Sequence, residues 1–226
     1  MLHRKFEQNV HGRDYIVGDI HGCYDHLELR LRLVGFDESR DRLFSVGDLV
    51  DRGPSSQDAL DWIARPWFHA VRGNHEQDII GAATAGGVDR DRHIRNGAGW
   101  FYSLSPSRQQ LYANAFTTLP YAMSVETEDG RVGIVHAEVF GHWDDFLTDL
   151  AHGNERAITS ALRGRLRNMH ADTDEVAGVS RVYVGHTILR QITCLGNTVY
   201  LDTGAVKGGD LSIVDVATDI LSPCLV

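Results

Sequence analysis

The chain has only three cysteines, Cys23, Cys194 and Cys224, and none lies at a paired-ligand spacing. That excludes a disulfide framework or a thiolate zinc site, and fits free thiols in a reducing compartment. No stretch approaches the roughly 20 consecutive apolar residues that a membrane span requires. The opening residues, MLHRKFEQNVHGRDY, are polar and contain no apolar signal core, so the expected location is the cytoplasm. Basic residues are in the minority, 22 Lys and Arg against 31 Asp and Glu, for a formal charge of −9. Nucleic acid is therefore not an expected partner, because such binding rests on a basic footprint. Repeats, low-complexity tracts and Pro/Ser-rich linkers are all missing. With 226 residues and 42% apolar content the chain suits a single domain over 1–226, with a sizeable core.

What the chain does have is short apolar runs that end in polar clusters. YIV leads into Gly18-Asp19, LFSV into Gly47-Asp48, and HAV into Arg72-Gly73-Asn74-His75. VGIV leads into His136 and VYV into Gly185-His186. Helical patterns separate the early runs: Leu27, Leu31 and Val34 share one face, and Ala59 and Ile63 another. This alternation predicts an α/β fold with parallel strands and crossover helices. In the second half, Asp129-Gly130 and Gly196-Asn197 each sit between apolar stretches and predict hairpins, and LSIVDVA supplies a last strand. A mixed sheet system follows. Helices are expected at about 106–118, 142–151 and 155–167.

The residues at the strand ends carry the chemistry. In open α/β sheets, groups beyond the carboxyl ends of the strands converge in space. Asp19, His21, Asp48, Asn74, His136 and His186 all occupy such positions. They offer oxygen and imidazole donors, a mixture that suits Mn²⁺, Fe²⁺ or Zn²⁺. Six ligands are too many for one tetrahedral ion but suit two ions sharing a carboxylate, with Asp48 as the natural bridge. Such a pair can hold a hydroxide and grip a phosphoryl oxygen. Glycines flank most of these ligands, as tight turns into a site require. GDLVDRG adds Asp51 and Arg52, and VRGNHE adds Arg72, His75 and Glu76. The two arginines suggest a phosphate clamp. His75 is the candidate acid for a leaving oxygen, with Asp51 to hold its ring and raise its pKa.

GDIHG, GDLVDRG and RGNHE, in that order and spacing, resemble the three signature blocks of the phosphoprotein phosphatase family of metallophosphoesterases. GHT at Gly185–Thr187, YLDTGAV at Tyr200–Val206 and NGAGWF at Asn96–Phe101 extend the likeness to the compact bacterial and bacteriophage-lambda-type members. The resemblance implies two mixed β-sheets sandwiched between helices. It implies a first metal held by Asp19, His21 and Asp48, and a second held by Asp48, Asn74, His136 and His186. Mn²⁺ is the expected ion, with Fe²⁺ or Zn²⁺ as alternatives. It implies His75 as acid with Asp51 as partner, and Arg52 and Arg72 on the phosphate. A later arginine also belongs to the pattern. Here the matching stretch is RGRLR, making Arg165 the candidate, with Arg163 where relatives carry tryptophan.

The implied activity is hydrolysis of phosphoserine and phosphothreonine in proteins, and possible action on phosphotyrosine, by direct attack of a metal-bridging hydroxide. The implied partner is a phosphorylated protein. The alternative is a symmetrical dinucleoside-tetraphosphate hydrolase, whose GDIHGCYD-like and GDLV segments Gly18–Asp25 and Gly47–Val50 also fit. Glu138 stands where relatives carry aspartate and is not expected to be a ligand. His3, His11, His26, His69, His93, His142, His152 and His170 lack a supporting pattern and are expected at the surface or in packing. Trp100 and Tyr102 are candidates for the wall of a substrate groove. Asp202 is expected either to orient a ligating histidine or to serve as a turn residue.

Overall fold

The computed structural model describes residues 2–84 and 87–221, so Cys224 lies outside the described residues. In chain order the strands are β1 (His3–Phe6), β2 (Asp14–Val17), β3 (Arg42–Ser45), β4 (Phe68–Ala70), β5 (Ala122–Thr127), β6 (Gly130–Val135), β7 (Arg181–Val184), β8 (Thr193–Leu195), β9 (Thr198–Tyr200) and β10 (Ile213–Asp215). The α-helices are α1 (Tyr24–Leu33), α2 (Ala59–Ile63), α3 (Asn74–Ala83), α4 (Arg90–His93), α5 (Gly99–Tyr102), α6 (Pro106–Thr117), α7 (Trp143–Ala151), α8 (Glu155–Arg163), α9 (Leu166–His170) and α10 (Val216–Leu221). They frame two mixed sheets, one ordered β10-β2-β3-β4 and the other β1-β5-β6-β7-β9-β8.

The strand register aims the polar clusters. β2, β3 and β4 are parallel, with Val17 opposite Ser45 and Ser45 opposite Ala70. Their carboxyl ends therefore leave the sheet side by side. β6 and β7 are likewise parallel, with Ile134 opposite Tyr183, so His136 and His186 exit together from the second sheet. The sheets face each other across a core that includes Ile16, Phe44 and Val46 from one and Met123, Ile134 and Val199 from the other. Outside the four-stranded sheet, Leu27, Trp62, Ile79 and Phe116 pack from the helices. Outside the six-stranded sheet, Trp143, Leu150 and Leu162 do the same. Burial of apolar surface on both faces of both sheets is what holds these short strands in one arrangement.

Three local features differ from the sequence expectation. β1, with the polar sequence HRKF, pairs in parallel with β5 without any apolar run to announce it. The stretch 155–167 is two helices rather than one. Gly164 is extended there, and a Cβ on it would lie 2.1 Å from Cγ of Glu138, so the chain steps out of α8 before α9 begins. Between α4 and α5 runs a π-helical turn, Ile94–Ala98, broken by Gly97 at φ 107°. Among the described residues no helix is long and apolar enough to cross a membrane.

Candidate metal and phosphate site

The strand ends meet where the two sheets come together. His21 Nδ1 lies 2.8 Å from the carbonyl of Val50, and His136 Nδ1 lies 2.8 Å from that of Val46. Each ring thereby fixes its Nδ1–H on the backbone and turns Nε2 inward, the tautomer that a metal ligand needs. His21 Nε2 is 3.6 Å from Asp48 Oδ2, and His136 Nε2 is 3.4 Å from Asp48 Oδ1 and 3.1 Å from Asn74 Oδ1. Asp48 belongs to both candidate metal groups, one with His21 and His75 and one with His136 and His186. Asp19 accepts the backbone N–H of His186 on both oxygens, at 3.2 and 3.1 Å. The six expected ligands thus form one continuous cluster. His75 also enters the first group, because its Nε2 lies 3.8 Å from Asp48 Oδ2.

Much of the cluster stands on backbone that L-residues rarely adopt. His21, Asp48, Asp51, Arg52 and His186 all have positive φ, and Ala171 is the one other such non-glycine among the described residues. Each such position costs on the order of 1 kcal/mol or more and persists only where its surroundings over-determine it. Glu76 is one of those surroundings. Its buried carboxyl group accepts the N–H of Gly73 at 2.8 Å, of Asp48 at 3.0 Å and of Leu49 at 2.8 Å, pinning the Asp48 turn to the start of α3. The two sheets also need close backbone approach: a Cβ on Gly185 would sit 1.9 Å from Asp19 Oδ1.

Burial and charge set the protonation states. Burial takes the imidazoles of His21 and His186 down to about 3 and also lowers His136, so these rings are neutral near pH 7. Burial opposes charge on Asp48, but His136, His75, His21 and His186 outweigh it and hold the carboxyl well below its usual range. Asp19 is pushed the other way by burial and by the neighbouring carboxylates of Asp202 and Asp48. Burial, then Asp48, raises Glu76 to about 8, against the pull of its backbone donors.

His75 and Asp51 are in direct contact, with His75 Nδ1 2.6 Å from Asp51 Oδ2. Burial opposes a charge on the ring, while Asp48 and Asp51 outweigh it and raise the pKa. Arg52 donates to His21 Nε2 through Nη1, and Arg165 donates to His186 Nε2 at 3.2 Å, so one guanidinium sits over each half of the cluster. Arg163 instead pairs with Asp78.

Arg72 is a correction. Expected on the phosphate, it turns away from the cluster. Nη1 donates to Gln77 Oε1 and Tyr121 OH, both at 3.0 Å, and Nη2 to the carbonyls of Thr117 at 2.8 Å and Leu119 at 3.1 Å. With both terminal nitrogens engaged, it ties the start of α3 to the end of α6 and is not available as a clamp.

Three residues set aside or weighed differently in the sequence belong near the His75–Asp51 pair and the candidate ligands. Trp100 Nε1 donates to Asp51 Oδ1 at 2.7 Å and does not merely line a groove. His93 is buried, with Nε2 3.6 Å from Asp51 Oδ2 and Nδ1 3.0 Å from Tyr102 OH. The only sequence signal was NGAGWF, which named the stretch but not its contact. Asp202 lies against Asp19 and accepts the N–H of Gly204 at 3.0 Å. Glu138 accepts the N–H of Arg167 at 3.0 Å and stays outside both metal groups.

Residues 14–189 match the calcineurin-like phosphoesterase family. Serine/threonine-protein phosphatase 2 of Escherichia coli K12 is 30% identical over 95% of this chain and 97% of its own length. Serine/threonine-protein phosphatase 1 of Salmonella typhimurium is 32% identical with the same coverage, 95% and 97%. The symmetrical bis(5'-nucleosyl)-tetraphosphatase of Methylococcus capsulatus is 30% identical over 80% of this chain and 65% of its own length. Among solved structures, a candidate diadenosine tetraphosphatase superposes with a TM-score of 0.64 at 23% identity, covering 93% of this chain and 92% of that one. A point mutant of a cold-active protein tyrosine phosphatase superposes at 0.61 and 14% identity, covering 92% and 76%.

Proposed function

The chain belongs to the calcineurin-like phosphoesterase family, and on that footing we propose that it is a metal-dependent phosphomonoesterase acting on phosphoserine and phosphothreonine in proteins. The His75–Asp51 pair carries this reading. A serine or threonine oxygen is a poor leaving group and needs a proton as it departs, so a positioned acid with its own carboxylate matters. A nucleoside phosphate leaves far more readily and needs that help less. Coverage points the same way: the chain spans 97% of the E. coli phosphatase but 65% of the Methylococcus tetraphosphatase. Beside Arg165 lies a groove of about 640 Å³ whose lining mixes Phe140 and Leu166 with Arg156, Arg163, Glu138 and Glu155, a surface that suits a peptide segment of mixed polarity on either side of a phosphorylated side chain.

The donors fit divalent ions. They are oxygen and imidazole nitrogen, their lone pairs are turned inward, and those of His21 and His186 already attract guanidinium groups. Asp19, His21 and Asp48 would hold one ion and Asp48, Asn74, His136 and His186 the other, with Mn²⁺ expected and Fe²⁺ or Zn²⁺ as alternatives. When bound, such ions supply Lewis acidity and lower the pKa of water. The protein does the rest. Arg52 and Arg165 take phosphoryl oxygens and stabilise the charge that builds on them. As water oxygen bonds to phosphorus, the bond from phosphorus to the substrate oxygen breaks; that oxygen takes its proton from His75 Nε2, and the proton shed by the attacking water passes to solvent, from which His75 is recharged. Asp51 accepts from Nδ1 and keeps the ring aimed.

The test is turnover after chelation and reloading with Mn²⁺, on a phosphoserine peptide, a phosphotyrosine peptide and diadenosine tetraphosphate. The phosphoserine peptide is expected to lead in kcat/KM by about tenfold or more, a difference of about 1.4 kcal/mol. A lead for the dinucleotide would reverse the assignment in favour of the tetraphosphatase reading that the Methylococcus relative supports.

A further inference from the structure

Asp51 is completely buried and must do two things: hold the His75 ring and remain a carboxylate. Its Oδ2 faces His75 Nδ1 at 2.6 Å, and its Oδ1 accepts the indole N–H of Trp100 at 2.7 Å. The indole is itself fixed edge-to-face on Tyr112, with centroids 5.0 Å apart, and the Tyr112 hydroxyl donates to the carbonyl of Gln57 at 2.7 Å. Asp51 also stands at φ 71°, beside Arg52 at φ 69°, so its backbone is held in an unfavourable region. A buried carboxylate with one oxygen unsatisfied turns toward any donor it can find. The Trp100 contact removes that freedom.

We propose that Trp100 is a positioning residue for the acid step: its N–H holds Asp51 Oδ1, so that Oδ2 keeps the His75 ring facing the departing oxygen. This rests on the phosphomonoesterase reading and extends it to a residue that touches neither phosphate nor metal ligand. Trp100 acts through Asp51 and then His75, so its contribution scales with how much the leaving group needs a proton.

The experiment compares kcat for a series of aryl phosphates of rising leaving-group pKa and for a phosphoserine peptide, with Mn²⁺ loaded. Trp100→Phe keeps the ring and removes the donor. It is expected to lower kcat on the peptide by about tenfold, on the scale of one lost buried hydrogen bond. The loss on p-nitrophenyl phosphate should be about twofold, so the slope of log kcat against leaving-group pKa steepens while KM moves little. Replacing Trp100 with β-(3-benzothienyl)alanine, which keeps the shape of indole but has sulfur for N–H, gives the same pattern. That variant decides the matter if Trp100→Phe folds poorly. In an Asp51→Ala background, Trp100→Phe adds nothing further to the slope, because the two act as a unit. Equal losses on both substrate types, an unchanged slope, or additivity with Asp51→Ala overturns the proposal. A wild-type enzyme that releases phosphate from none of these esters overturns the phosphomonoesterase reading itself, a different outcome from a wild type that turns over the series while the variants leave its slope unaltered.

Discussion

Arg52 and Arg72 are one residue type, each beside a metal-capable motif, and they end in different roles. What separates them is what lies within reach of each guanidinium. Arg72 meets two carbonyls at the end of α6, those of Thr117 and Leu119, and stacks on the Tyr121 ring with its Cζ 4.6 Å from the centroid. Arg52 meets the imidazole of His21, a candidate metal ligand. A sequence states the chemical class of a side chain but not which carbonyls lie 45 residues away. The contrast gives a prediction. Arg72→Met removes the buried partner of the Leu119 carbonyl and the Tyr121 hydroxyl and should cost about 2–4 kcal/mol, lowering Tm by roughly 5–15 °C for a chain of this size. KM for a phosphopeptide should change less than about twofold, by the same small-effect scale as a residue off the site. Arg52→Gln should do the reverse. It should lower kcat/KM by about 10²-fold or more, as removal of a transition-state donor does, with Tm nearly unchanged. Melting curves and steady-state kinetics on the same samples check both, and a phosphate-binding defect in Arg72→Met would restore the clamp that the geometry denies.

At the scale of elements, the strands that feed the site were legible and the elements that brace them were not. β2, β3, β4, β6 and β7 announce themselves as apolar runs stopped by Gly-Asp, Asn-His or His, because strand and ligand are neighbours in the chain. β1 is a polar edge strand recruited by β5, and edge strands need no apolar face to pair. The α4–α5 segment has no helical period, since the turn from Ile94 to Ala98 is π-helical and Gly97 interrupts it. Yet this segment presses on the Asp51–Arg52 turn. Gly97 sits at φ 107°, and a Cβ there would lie 2.2 Å from the backbone nitrogen of Arg52 and 2.7 Å from its Cα. Only glycine combines that conformation with that approach. Gly97→Ala should therefore displace Arg52 and Asp51 together, and activity on a phosphopeptide should fall by about 10²-fold, the scale of a misplaced catalytic group. Retention of a loaded divalent ion by the candidate ligands on the other strands should be largely kept. Metal content by elemental analysis beside kcat/KM checks this; near-wild-type activity would show that the close approach does not brace the turn.

At the scale of the molecule, the two sheets bring their strand ends together at the site and pack face to face in the core, and a half-buried histidine lies at the edge of that second contact. His69 on β4 is opposite Phe44 on β3 and packs against two rings, Phe6 at 4.6 Å and Phe44 at 5.2 Å between centroids. Burial, then Arg4 and Arg42, lowers its pKa to about 4. The folded value lies below the unfolded value of 6.5, so the unfolded chain binds more protons in the window between them. Stability therefore rises with pH across that window. The penalty is absent above about 6.5 and complete below about 4, where His69 is charged in both states but is half-buried beside two arginines in only one. Its full size is about 3 kcal/mol, from the fall from 6.5 to about 4 at 1.36 kcal/mol per pKa unit. His69→Phe keeps an aromatic ring between Phe6 and Phe44 and removes the titration. Urea unfolding with excess chelator, so that metal release does not enter, should show the wild type losing more stability than His69→Phe between pH 7.5 and pH 4.5. The gap between the two proteins should open below pH 6.5 and not above it. Parallel pH profiles for the two would mean that the ring titrates freely in the folded chain, and that the core between the sheets admits the charge without penalty.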